Sequence, residues 1–140
     1  MELFRADFHV LAEMRIREAR LLLDAGEFAG AYHLAGISIE CALKACIAKQ
    51  TREFEFPDKA RVTGSYDHRP EKLVQLAGLE SLIRGQSESD ATFRQFWATI
   101  CQWTIDSRYV PSLTAVQARD ICTAVSDDQH GVLPWLRKHW

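Results

Sequence analysis

The chain has 140 residues, of which 47% are hydrophobic and 26% charged, with a formal net charge of −2 and a sequence pI near 6.2. That fits one globular domain spanning residues 1–140, large enough to fold without a metal or disulfide staple. The near-neutral balance excludes a global cationic field of the kind that lives on bulk nucleic-acid phosphate, but not a local basic pocket.

The opening residues, Met1 to Asp7, are charged rather than an apolar signal core, and no purely apolar run of membrane-span length follows. A cytoplasmic location is the expectation. Cys41, Cys46, Cys101 and Cys122 form no CxxC pair. They read as small buried thiols in a reducing compartment, not as a metal site. No cofactor motif occurs: there is no glycine-rich phosphate loop, HExxH or GxSxG.

The periodicity is helical nearly throughout. A first helix is expected from about Phe4 to Ala25, with Phe8, Ala12, Ile16, Ala19 and Leu23 on one face and Gly26 closing it. A second runs from about Phe28 to Lys49 and is apolar almost all round, which makes it central. Residues 51–67 have no period and read as a long surface loop. A short third helix spans His68 to Ala77, with Asp67 as its N-cap and Pro70 in its first turn. Gln86 to Ser89 reads as a polar break. The fourth helix covers Asp90 to Thr104, with the apolar stripe Phe93, Phe96, Trp97, Ile100 and Trp103. A bend at 105–112 precedes a fifth helix, Ala115 to Ser126, opened by a capping box of Thr114 and Gln117. Asp127 to Gly131 breaks it, and Val132 to Trp140 adds a last turn or two. The fold class is therefore all-α, an up-and-down bundle of four to five helices.

Three places carry candidate chemistry. His33, Ile37, Glu40 and Lys44 share one stripe of the second helix, where Glu40 and Lys44 form a favourable i,i+4 pair. That pair is either the helix's wet edge or the lining of a polar pocket. Arg108 and Tyr109 sit at the bend with Trp103 and Asp106 nearby. A guanidinium there clamps a phosphate or carboxylate, or else pairs internally with Asp106 or Glu40. His68 is the third. A His with an Arg is the minimum for metal-free phosphodiester cleavage, one group moving a proton and the other stabilising the phosphorane.

The stretches ARLLLDAG (19–26), AYHLAG (31–36) and ECALKA (40–45), then His68 with Glu71-Lys72-Leu73, Trp103 with Ser107-Arg108-Tyr109, and GVLPWL (131–136) resemble HEPN domains (higher eukaryotes and prokaryotes nucleotide-binding). The resemblance covers nearly the whole chain, and the block AYHLAGISIECALKACIA is its most specific part. It implies a four- to five-helix bundle, usually a homodimer, with a functional cleft near the dimer axis. It also implies a nucleotidyltransferase partner in a toxin–antitoxin-like pair, or else a metal-independent ribonuclease.

The ribonuclease members carry an Arg, a polar residue, a few more residues and a His near the start of a late helix. Arg108 is similar in placement to that Arg, but Leu113, Thr114 and Ala115 stand where the His would fall. Arg61 and His68 have six residues between them and match the raw spacing, yet they straddle the irregular loop, so the match reads as chance. The first expectation is a non-catalytic module using Glu40, Lys44, His68, Trp103, Arg108 and Tyr109 to bind a nucleotide, an RNA or a nucleotidyltransferase. An atypical endoribonuclease with His68 and Arg108 as catalytic residues is the second. A purely structural or interaction dimer is the third.

Overall fold

A computed structural model describes residues 5–53 and 66–140. Those residues are all-helical and contain no strand. Among the described residues there are seven α-helices: α1 (Arg5–Asp24), α2 (Phe28–Glu53), α3 (Pro70–Leu76), α4 (Glu80–Ser89), α5 (Ala91–Cys101), α6 (Ala115–Ser126) and α7 (Val132–Leu136), with a 3₁₀ helix at Ile105–Tyr109.

The α1–α2 hairpin follows directly from its turn. Gly26 has φ +81°, its N–H bonds to Leu23 O, and the Glu27 N–H reaches back to Leu22 O. That Schellman closure needs a left-handed residue, and the same arrangement at Gly78 (φ +70°) ends α3. The two long helices then run antiparallel, and the buried Ser38 hydroxyl donates to Ala12 O at 2.7 Å across them.

Helix α2 is the axis of the molecule. It packs on α1, α3, the 3₁₀ helix, α6 and α7. Ala31, Ala35, Ala42 and Ala45 are fully buried along it, because small side chains let neighbouring helices approach. At Gly36 the Trp103 indole lies directly against the backbone. By length and composition Phe28–Thr51 is apolar enough to cross a membrane, which a count of uninterrupted apolar residues does not register. In the fold 67% of that apolar window is buried inside the protein, as a core helix requires.

The chain order matches the sequence reading for α1, α2 and α6, but not everywhere. Helix α2 extends about one turn past Lys49, so residues 51–53 are helical rather than loop. Arg61 and most of the proposed loop, residues 54–65, lie outside the described residues. The third helix begins at Pro70, not His68. Asp67 is not its N-cap: its carboxylate accepts from the Arg69 backbone N–H at 2.8 Å and grips the Arg69 guanidinium instead. Gln86 to Ser89 is no break but the last turn of α4, a helix that polar residues concealed. Helix α5 stops at Cys101, and Trp103 follows it in a turn.

Two side-chain clasps hold the periphery. Asp90 caps α5 by accepting from the Thr92 and Phe93 N–H groups at 3.0 Å each, and it also accepts from His130 Nδ1 at 2.7 Å. Arg137 meets Glu13 through two bonds of 2.7 and 2.9 Å, while the Trp140 ring stacks on His9 at 4.3 Å. Together they fasten the end of the chain onto α1.

Candidate functional site

The site is built on the one polar stripe of α2. Position 40 falls on the side of α2 facing the segment before α3, and Glu40 is only 7% exposed. Among the described residues it is the sole buried charged side chain. A buried carboxylate must be paired, and two partners supply this. His68 Nδ1 bonds to Glu40 Oε1, and Lys44 Nζ lies 3.8 Å from Oε2. The sequence-predicted Glu40, Lys44 and His68 are thus brought together.

Arg108 goes elsewhere. It projects from the exposed 3₁₀ helix, with its guanidinium carbon 4.7 Å from the centroid of the Tyr109 ring. Tyr109 is 70% exposed and serves as the platform that holds the guanidinium by cation–π attraction. Neither Asp106 nor Glu40 forms an ion pair with Arg108 among the described residues. The internal pairing that would have made Arg108 a bend clamp is absent there, since Glu40 is already taken.

The imidazole that meets this 3₁₀ helix is His33, not His68. Two turns of α2 separate His33 from Glu40, roughly 10 Å along the axis. His33 Nδ1 lies 3.4 Å from Ser107 Oγ, and Ser107 is buried directly next to Arg108 in the chain. Partial burial lowers the His33 pKa first, and the Arg108 charge lowers it further, while the Glu40 charge pulls the other way. The imidazole is therefore held neutral near pH 7. His33 belongs to the stripe legible in the sequence, but only the docking of the 3₁₀ helix reveals its neighbour.

Trp103 needs correcting as a ligand contact. It is 1% exposed, with its face against Gly36 and its ring 6.2 Å from the His33 ring at 29°. It supports His33 from beneath and offers no surface to a ligand. Its Nε1 is buried, with no hydrogen-bond partner among the described residues.

The remaining groups do not build a second centre. Burial pushes the thiols of Cys41 and Cys122 up to about 11 and those of Cys46 and Cys101 up to about 12, so all four stay protonated and unreactive. They are free cysteines. Among the described residues no group of three His, Cys, Asp or Glu side chains could hold a metal ion. A separate hollow of about 230 Å³ is lined by Arg20, Thr123, Ser126, Asp127 and Asp128. The Asp127 carboxylate there is already bonded to the Gln129 and His130 backbone N–H groups.

No family model matches this chain, and neither does any curated protein or solved structure.

Proposed function

We propose that this chain is a HEPN-type helical module that binds a phosphate-bearing ligand, a nucleotide or short RNA, without cleaving it. The proposal includes a homodimer in the cytoplasm, paired with a nucleotidyltransferase in a toxin–antitoxin-like system. The residue pattern quoted above and the all-helical fold support the family. The observation that carries the binding role is Arg108: an exposed guanidinium steadied on Tyr109 and free of any carboxylate among the described residues. Guanidinium forks match phosphate oxygens bidentately. Lack of cleavage is supported by Leu113, Thr114 and Ala115 standing where the family's ribonucleases have a His.

The test is a thermal-shift and calorimetric screen against nucleoside phosphates and a short RNA, with RNA integrity read on a gel in EDTA. Stabilisation without cleavage is expected, lost in Arg108→Ala while far-UV circular dichroism stays unchanged. Binding by Arg108→Ala as tight as by the wild type would overturn the reading. Light scattering and co-purification of a nucleotidyltransferase test the two protein partners.

The ribonuclease reading keeps one specific support, the contact of His33 with Ser107, the residue before Arg108. Cleavage would then run through His33 as the group taking the 2′-hydroxyl proton, with Arg108 on the phosphorane. Metal-free cleavage abolished by His33→Ala but not by His68→Ala would establish it.

A further inference from the structure

Among the described residues only two Phe, Trp or Tyr side chains are exposed, Tyr66 at 77% and Tyr109 at 70%. The rest are buried or half-buried. Each exposed ring sits two residues from a point where its segment is tied to α2. Tyr109 follows Ser107, whose Oγ lies 3.4 Å from His33 Nδ1. Tyr66 precedes His68, whose Nδ1 bonds to Glu40. His33 and Glu40 belong to one stripe of α2, two helical turns apart, so the two ties lie roughly 10 Å from each other along the axis. Ile37 stands half-buried between them on the same stripe.

Charge is sparse here. Lys44 is paired with Glu40, and Arg69 with Asp67. Of Lys44, Arg69 and Arg108, only Arg108 has no carboxylate partner among the described residues. Its guanidinium carbon lies 4.7 Å from the centroid of the Tyr109 ring. The ring is 70% exposed even so, which leaves its opposite face to solvent.

We infer that Tyr66 and Tyr109 are stacking platforms for the bases of a short unpaired nucleotide strand laid along this stripe of α2, with Arg108 on one phosphate. The inference rests on the proposed reading that Arg108 anchors a phosphate. Every base has a π face, so stacking on tyrosine holds a strand with little regard to sequence. A duplex keeps its bases inside and presents them to neither ring. A mononucleotide engages one ring, whereas a strand of a few nucleotides engages both. One unpaired guanidinium supplies one ionic contact, so stacking carries most of the affinity. The formal net charge of −2 agrees with that, because the chain has no broad cationic surface to hold a strand by charge alone.

The experiment measures binding to the full chain by calorimetry and fluorescence anisotropy. The probes are a mononucleotide, a mixed-sequence trinucleotide and a blunt duplex, each as RNA and as DNA to distinguish the two sources of such a strand. Tyr66→Ala, Tyr109→Ala and the two Tyr→Phe variants are compared with the wild type. Both rings are exposed, so neither substitution touches the core, and far-UV circular dichroism checks this.

The trinucleotide should bind at least about fivefold tighter than the mononucleotide, the lower end for one more base stacked on an aromatic ring. Each Tyr→Ala change should weaken trinucleotide binding by at least about fivefold, and each Tyr→Phe change should preserve it. The logarithm of affinity should fall with the logarithm of salt concentration at a slope of about −0.7, one phosphate contact on a single strand. The duplex should compete poorly. Tyr66→Ala is the deciding variant, because it leaves the ring under Arg108 in place.

Equal binding of mononucleotide and trinucleotide, or a Tyr66→Ala protein that binds the trinucleotide as tightly as the wild type, overturns this inference and leaves the Arg108 reading standing. A Tyr66→Ala protein that loses self-association while keeping strand binding places a second copy of the chain on that ring, and overturns it as well. Absence of binding by every nucleotide, or binding indifferent to Arg108→Ala, overturns both.

Discussion

Replacing Gly36 by alanine adds one methyl group where the Trp103 ring meets the backbone of α2. A Cβ there falls 2.0 Å from Cε2, 2.1 Å from Nε1 and 2.2 Å from Cδ2 of Trp103. Ordinary carbon contacts are about 3.5–4.0 Å, so the overlap is far more than a small adjustment absorbs. The atoms struck lie in the body of a rigid indole that is 1% exposed, not at the end of a flexible chain. Trp103 must leave its place. Losing a buried large aromatic costs about 3–5 kcal/mol. Alanine returns about 1 kcal/mol as a better helix former, which leaves a net loss of about 2–4 kcal/mol. For a chain of this size that is roughly 8–16 °C in Tm, at about 4 °C per kcal/mol.

Urea unfolding followed by circular dichroism measures the loss. Gly85→Ala is the internal control. It makes the same change inside α4, where an added Cβ meets nothing within 4 Å, and it should stabilise by about 0.5–1 kcal/mol. Opposite signs at the two sites are the expected result. A Gly36→Ala protein as stable as the wild type would refute the reasoning, because the indole could then not be lying against α2.

The remaining predictions concern charge and capping. Glu40→Gln keeps the side chain's shape but leaves the half-buried Lys44 without its counter-charge, and should lower the urea-derived stability by about 1–3 kcal/mol. A change below a few tenths would mean that His68 and Lys44 do not lean on Glu40. His130 has its pKa raised, chiefly by its hydrogen bond to Asp90, and Asp90 has its own pKa lowered by the same bond. The His130 contribution is therefore complete below its unfolded value of about 6.5 and disappears as pH rises through the higher folded value. The Tm gap between wild type and His130→Gln should be widest near pH 5.5 and close on the alkaline side. A gap that widens with pH would contradict the bond. Thr114→Ala removes one half of the capping box that opens α6 and should cost about 1 kcal/mol in a guanidinium melt. An unchanged midpoint would show that Gln117 caps the helix alone.

Local rules written into the chain determined much of the fold. Gly26 ends α1 because only a left-handed residue closes that turn, Thr114 and Gln117 open α6, and the small apolar residues of α2 announce a central helix. Each depends on neighbours a few positions apart. The same is true of the stripe of His33, Glu40 and Lys44, which helical spacing puts on one side of α2. Helix α4 is hidden in the sequence because Gln86 to Ser89 are polar and none is buried in the core, so packing does not mark a helix there.

Tertiary structure alone decided how the stripe is divided. The segment before α3 delivers His68 to Glu40, and the 3₁₀ helix delivers Ser107 to His33. No spacing encodes either meeting, since 28 residues separate the first pair and 74 separate His33 from Ser107. Trp103 illustrates the same limit. The sequence put it both in the apolar stripe of the fourth helix and among the binding residues, but a glycine 67 positions earlier left room for the ring to lie against α2 and disappear into the core. Charge pairing and close packing act through space, and the distances that settle them exist only once the helices have docked.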